Sequence, residues 1–358
     1  MKALVLSGGA GTRLRPFSYS MPKQLIPVAN KPVLEHVVAN IRDLGIREIG
    51  IIVGERGQQI ADALGDGTRL GCDITYLPQH QPLGLAHCVA LARDFLGDDD
   101  FVMYLGDNML PQGIGEIARD FSANRPAAQV VVYKVDDPRA FGVAELWPDG
   151  RVRRLVEKPQ EPVSDLALIG VYFFTPAIHA AVAAIQPSAR GELEITDAIQ
   201  WLVERGDTVR ASEYGGYWKD TGTVEDVLDC NRELLDGVRL AVHGTLEDSQ
   251  ITGAVVLEAG ARAVRSRIVG PAVIGAGTLI EDSYVGPATS IGRDCVLRDT
   301  HIDYSIALDG ARISDVKGLH GSIIGRAATV DSAEVRTDGG TGRHRLVIGD
   351  HTRIEVAA

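Results

Sequence analysis

The strongest constraint on the fold lies in the C-terminal third of the chain. In "IVGPAVIGAGTLIEDSYVGPATSIG", residues 268–292, an aliphatic residue followed by glycine keeps returning. Ile268, Ile274 and Ile280 are six apart, as are Val285 and Ile291, so two registers are offset by one slipped coil. A six-residue repeat that sends one aliphatic side chain inward per short strand, with small residues at the corners, is the pattern of a β-solenoid. The expectation is a left-handed parallel β-helix of hexapeptide repeats over residues 241–358. Scattered surface strands joined by glycine turns are the weaker alternative. Past Asp309 the repeat is ragged, and "RTDGGTGRHR" at 336–345 reads as a polar loop that interrupts or ends it.

Residues 1 to about 235 follow a different pattern. Ala3–Leu6, Ile49–Val53, Ile74–Leu77, Phe101–Leu105, Val130–Val135 and Gly170–Phe174 read as strands, several of them apolar on consecutive positions, as strands buried on both faces are. Helical spacing lies between them, for example over Val33–Leu44 and Gly84–Phe95. This order predicts an α/β domain over 1–240, Rossmann-like, with a mixed, mostly parallel sheet whose ligands sit at the carboxyl ends of strands. A chain of 358 residues accommodates both domains.

A net charge of −12 argues against non-specific binding of nucleic acid, which needs surplus Lys and Arg. Any anionic ligand must therefore be held locally. Cys72, Cys88, Cys230 and Cys295 lie far apart with no CxxC, which fits neither a zinc site nor a disulfide framework. Neither a signal-type apolar stretch at "MKALVLSGG" nor an eighteen-residue apolar run is present, so the expectation is a cytoplasmic protein without a membrane partner.

The first predicted strand ends at Leu6 and runs into "SGGAGT", followed by Arg13. Glycines bring backbone N–H groups against an anion, so Gly8, Gly9, Gly11 and Thr12 form a candidate phosphate nest. The loop lacks the third glycine of GxGxxG and the GK[ST] ending of a Walker loop. A plain tight turn remains the competing reading, and Arg13 and Lys23 tip the balance, because two cations near such a loop suit a polyphosphate. Asp107 follows the apolar strand "FVMYL", and Asp220 sits in "WKDTG"; taken singly, each reads as a turn or cap residue.

Together these segments resemble the signature of the sugar-1-phosphate nucleotidylyltransferases, and within them the long-form thymidylyltransferases that act on glucose 1-phosphate. The likeness begins with "GGAGTRLRP…PKQLIPVANKP" and continues, in order, through "PQHQPLGLAHCV", "YLGDN", "FGVAEL", "EKP", "RGELEITD" and "WKDTGT". It covers essentially all of residues 1–235. Gln24 supports the narrower reading, since sister enzymes usually carry another residue directly after the lysine.

The resemblance implies dTTP and glucose 1-phosphate as substrates and Mg²⁺ as cofactor, with Mn²⁺ as a substitute. It implies that Asp107 and Asp220 hold the metal, that Arg13 and Lys23 hold the triphosphate, and that Lys158 holds the sugar phosphate. Gln79 and Gly84 are implied base readers, with Leu6 and Gly8 lining the same pocket and Gln24 and Asp107 also on the nucleotide. Asn108, Gly142, Glu157, Val171 and Arg190 are implied on the sugar phosphate, Arg190 competing with a surface salt-bridge reading. A side-chain amide such as that of Gln79 offers donor and acceptor together, matching the imide edge that thymine and uracil share. His87 departs from the short-form pattern, which commonly has glutamine there.

Alternatives remain open: UTP or another nucleotide, another sugar or cyclitol phosphate, a degenerate ligand-binding protein, or a bifunctional enzyme whose solenoid transfers acyl groups through His301 or His320. The solenoid's flanks and end predict a homo-oligomer.

Overall fold

The computed structural model describes residues 1–9, 11–332 and 343–356. The chain forms two compact units, Met1–Gly9 with Val33–Asp220, and Ala10–Pro32 with Thr221–Ala358.

In the first unit, Lys2–Ser7 lies between Phe101–Leu105 and Glu48–Val53, and Asp73–Pro78 extends the row; all these pairings are parallel. The runs "ALVL" and "FVMY" are buried at every position, which is why no polar alternation marks them. Beyond Phe101–Leu105 the sheet turns antiparallel. Leu166–Phe174 pairs with that strand, with Ala128–Lys134 and with Gly142–Leu146, and Val152–Glu157 closes the edge. Val209–Glu213 adds a parallel neighbour to Ala128–Lys134. The sheet is mixed, as expected, but not mostly parallel: four of the strand pairings described above are parallel and four antiparallel, because Gly142–Leu146, Val152–Glu157 and Leu166–Phe174 follow one another without crossover helices.

Leu166–Phe174 changes register at Gly170, whose φ of 77° is open to glycine at little cost. The helix Val33–Arg42 buries Val33, Leu34, Val37, Val38 and Ile41, the helical spacing read in the sequence. It stops two residues before the expected end because Gly45, at φ 81°, caps it by donating to the Arg42 carbonyl. The helical pattern over 84–95 divides into Leu85–Leu91 and Arg93–Leu96. The core between sheet and helices includes Phe101, Phe174, Val130 and Ile199.

The second unit contains the β-helix: three parallel sheets of short strands stacked coil on coil. Ile268, Ile274 and Ile280 point inward from the three sides of one coil, and Val285, Ile291 and Leu297 from those of the next. Ile251 pairs with Ile268, Ile268 with Val285 and Val285 with Ile302, so each of these coils takes 17 residues. One side is therefore five residues long, and the register slip recurs at each turn. Past Asp309 the coil stays regular, with Ile313, Leu319, Ile324 and Val330 inward. Ile324 next pairs with Ile348, a longer step across the polar segment. Residues 336–342 of that segment lie outside the described residues, while His344 has resumed pairing, with Leu319.

Buried hydroxyls line two corners of the stack, Ser266 and Ser283 one of them and Ser305 and Ser322 the next. Ser266 Oγ accepts from the Ser283 N–H, Ser283 Oγ from Thr300, Ser305 Oγ from Ser322, and Ser322 Oγ from Leu346, at 2.9 to 3.1 Å. Each hydroxyl thus satisfies a backbone donor at a corner where the step between inward residues shortens to five.

The same unit holds the residues after the glycine loop. Thr12–Leu14 and Lys23–Leu25 form single 3₁₀ turns, and Pro27–Val28 pairs with Lys31–Pro32 through a turn at Ala29 and Asn30. Asn231, fully buried on the helix Val224–Asp236, accepts from the Ala29 N–H at 2.9 Å and from Ser290 Oγ at 2.6 Å. It also donates to the Ala288 carbonyl, and Asn30 donates to that of Ile291. Among the described residues no helix is long and apolar enough to cross a membrane.

Candidate active site

The parallel strands of the first unit deliver their ends to one place. Lys2–Ser7 runs into Gly8, Glu48–Val53 into Gly54, Phe101–Leu105 into Gly106, and Asp73–Pro78 into Gln79. A side chain on Gly106 would meet Ser7 Oγ at 2.5 Å and the Leu6 carbonyl oxygen at 3.1 Å, and Gly106 N–H donates to that carbonyl. A side chain on Gly8 would meet Gln79 Oε1 at 3.1 Å. The glycines here are needed for close approach, and the structure brings Leu6, Gly8 and Gln79 together; Gly9 is exposed beside them.

Gly84 serves a different purpose. Its φ is 104°, and a Cβ would lie 2.4 Å from the Leu193 carbonyl oxygen, so it lets the helix Leu85–Leu91 start against that segment. The first turn is held there by Ala86 N–H donating to Leu193 O. That helix carries His87 and Cys88, both within hydrogen-bonding reach of Gln79 Nε2, at 3.1 and 3.2 Å. Burial pushes the Cys88 thiol up to about 12, so it stays neutral and donates to the Gly84 carbonyl. All four cysteines are buried and outside any disulfide.

Asp107 and Asp220, far apart in sequence, are drawn together by backbone pairing: Lys219–Asp220 runs antiparallel to Asn108–Met109, with Asp220 opposite Asn108. Asn108 is buried and holds the pair in place. Its Nδ2 donates to Asp107 Oδ1 at 3.1 Å, and its Oδ1 accepts from Trp218 Nε1 at 2.7 Å. Trp218 packs edge-on against Phe141 and tilted against Tyr133, each at 5.5 Å. No group of three or more His, Cys, Asp and Glu side chains gathers as a metal site among the described residues. Asp107 and Asp220 are both half-buried, and one or two carboxylates suit a cation that keeps waters and takes phosphate oxygens, as Mg²⁺ does.

The sugar-phosphate candidates form a neighbouring group. Glu157 pairs with Gly142 across the antiparallel edge, and a Cβ on Gly142 would lie 3.2 Å from Glu157 Oε2. Glu157 Oε2 accepts from Thr196 Oγ1 at 3.1 Å, and Arg190 Nη1 lies 3.2 Å from Oε1. Arg190 also reaches Glu192 and Glu194 at 3.2 and 3.3 Å, so it sits within the ion-pair cluster that was its competing reading. Burial raises the Glu194 carboxyl pKa despite that arginine. Lys158 adopts φ 42°, a left-handed conformation that a non-glycine residue keeps only where its surroundings fix it, and its N–H donates to the Phe141 carbonyl. Its ammonium stands 3.8 Å from Glu157 and is partly exposed. Val171 is fully buried directly after the Gly170 break. A cavity of about 410 Å³ lined by Glu157, Arg190, Arg154 and Asp197 adjoins this group.

In the second unit, Gly11 at φ 62° packs on the stem of Lys23, where a Cβ would meet Lys23 Cβ at 3.1 Å. Thr12 and Arg13 are exposed on the adjacent 3₁₀ turn. Gln24 is 1% exposed, and its Oε1 has no protein partner. His320 lies opposite Asp303 on neighbouring coils and pairs with it through Nδ1, whereas His301 packs edge-on against Tyr284.

Sequence reading did not foresee Trp218, Thr196 or the part His87 plays. Trp218 was visible as an aromatic two residues before Asp220. The partners of Thr196 and His87 are set by tertiary packing and left no mark in their own segments.

Comparison with known proteins adds to this geometry. The nucleotidyl transferase family matches residues 2–237. A glucose-1-phosphate thymidylyltransferase of Streptomyces griseus is 52% identical over 359 aligned residues, covering 100% of both chains. One of Streptomyces antibioticus is 50% identical over 99% of both. A crystal structure from Bacillus anthracis, in complex with sucrose, matches with a TM-score of 0.62 at 34% identity, over 67% of this chain and 97% of that one.

Proposed function

The chain belongs to the nucleotidyl transferase family, and from that premise we propose that it condenses glucose 1-phosphate with dTTP to give dTDP-glucose and pyrophosphate. The observation that carries this reading is the backbone pairing that sets Asp220 opposite Asn108, the residue after Asp107, where a strand of the α/β sheet has ended. The full-length likeness to two thymidylyltransferases supports the choice of substrates. The domain assignment that goes with it keeps 1–240 as the catalytic part, in line with a family match ending at residue 237, and 241–358 as the hexapeptide part. A homo-oligomer built through the coils and a cytoplasmic location belong to the same proposal.

A sugar phosphate monoester is largely dianionic near neutral pH, its second pKa being about 6, so its attack needs no general base. One of its oxygens forms a bond to the α-phosphorus of dTTP while the bond from that phosphorus to the β-phosphate oxygen breaks, and pyrophosphate carries the charge away. The chain's task is to position two anions and offset their repulsion. Arg13 and Lys23 are assigned to the triphosphate, with Gly8, Gly9, Gly11 and Thr12 donating N–H groups and Gln24 beside them. Lys158 and Arg190 are assigned to the sugar phosphate, and Glu157 to the sugar hydroxyls, with Gly142, Asn108 and Val171 shaping that pocket. Asp107 and Asp220 would hold Mg²⁺, which when bound supplies positive charge on the triphosphate oxygens. Gln79 takes the base, with Leu6 and Gly84 around it.

The test is pyrophosphate release over a grid of nucleotides and sugar 1-phosphates, with Mg²⁺ or with chelator. The expected result is release with dTTP and glucose 1-phosphate in the presence of Mg²⁺, and little with CTP, ATP or GTP. UTP is the nucleotide expected next, because uracil shares the imide edge. Turnover restricted to a purine nucleotide, or unaffected by chelator, contradicts the proposal.

A further inference from the structure

We propose that His87 is a positioning residue that fixes the amide of Gln79 with its carbonyl oxygen toward the base, so that the enzyme selects a pyrimidine carrying an imide N–H. This rests on the assignment of Gln79 to the base. Gln79 Nε2 has two neighbours on the helix Leu85–Leu91, His87 Nδ1 at 3.1 Å and Cys88 Sγ at 3.2 Å. The Cys88 thiol hydrogen is directed at the Gly84 carbonyl, which leaves its sulfur as an acceptor toward Gln79. Nδ1 of His87 completes the set as the second acceptor, in the tautomer that carries its proton on Nε2. Both N–H bonds of the amide are then used inside the protein. The remaining atom, Oε1, lies on the Gly8 side, 3.1 Å from where a Gly8 side chain would begin.

The amide therefore reads the base as an acceptor, which revises the donor-plus-acceptor reading made from the sequence. Thymine and uracil present N3–H to such an oxygen. Cytosine presents an unprotonated N3, so two lone pairs face each other, and a buried site rejects such a mismatch strongly. Cys88 alone is a weak acceptor and cannot hold the amide in one of its two orientations. His87, half-buried on the solvent side of its helix, supplies the stronger hold.

The test compares His87→Ala, His87→Gln and His87→Lys with the unaltered chain, using dTTP and dCTP. A side-chain carbonyl can replace Nδ1 as acceptor, whereas an ammonium only donates. His87→Ala is expected to raise KM for dTTP about tenfold, the scale of one hydrogen bond, with kcat changed far less, and to narrow the preference over dCTP. His87→Gln should restore most of both, and His87→Lys should behave like His87→Ala or worse. Thermal melts of the variants separate loss of fold from loss of selection. If alanine and glutamine variants lose dTTP equally while melting normally, or if the preference over dCTP stays unchanged in His87→Ala, the proposal is overturned. Failure of the unaltered chain to use dTTP would instead overturn the base assignment itself.

Discussion

Asp107 owes its position to its neighbours more than to its own segment. Gly106 lets the chain cross close to Ser7, and Asn108 then fixes the carboxylate while its other end is held by Trp218. Replacing Asp107 by Asn keeps the shape and removes the charge. Turnover is expected to fall about a hundredfold or more, the scale for losing an electrostatic contact to the reacting phosphates, with a near-normal melting temperature. Steady-state pyrophosphate release and a thermal melt check this, and near-normal turnover would count against the metal role. At this scale the sequence was informative about which residue types carry charge. It was silent on what holds them: Asn108 reads as a ligand contact in the chain, yet both ends of its amide are used within the protein. Arg190 reads as a phosphate cation, yet its guanidinium lies among Glu157, Glu192 and Glu194.

Among the elements, the coils were the most legible. Inward aliphatics are a one-dimensional code, and Ile268, Ile274 and Ile280 announce three sides of a turn. The five-residue side blurred the code, because counting in sixes drifts by one residue per 17-residue coil. The hydroxyl corner makes up for that short side. Ser283 Oγ accepts from Thr300 N–H at 3.1 Å and donates to the Glu281 carbonyl at 2.6 Å. Ser283→Ala should therefore destabilise the coil by roughly 1–3 kcal/mol, the cost of a buried donor left without a partner. Denaturant unfolding measures it, and a change below about 0.5 kcal/mol, typical of an indifferent surface site, would show that the ladder is incidental. The antiparallel strands Gly142–Leu146 and Val152–Glu157 were missed for the opposite reason: their burial alternates irregularly, and a register shift between Val152 and Arg154 interrupts the period.

At the scale of the whole molecule, the change of sequence pattern near residue 240 and the packing do not fall at the same place. The hairpin that follows Lys23 belongs with the coils, tied to them by Asn30 and the buried Asn231. Such a tie leaves no periodic trace, because it needs only two asparagines at positions that composition treats as turn or helix surface. The consequence is that the segment carrying Gly11, Arg13, Lys23 and Gln24 packs in one unit with the β-helix, although it lies more than two hundred residues before it in the chain. On the proposed function the end of the first strand receives a nucleoside triphosphate. A crystal structure with dTTP is the sharpest test, with density for thymine expected against Gly8 and Gln79 and N3–H directed at Gln79 Oε1. Nucleotide bound elsewhere, or absent at saturating concentration, would contradict it.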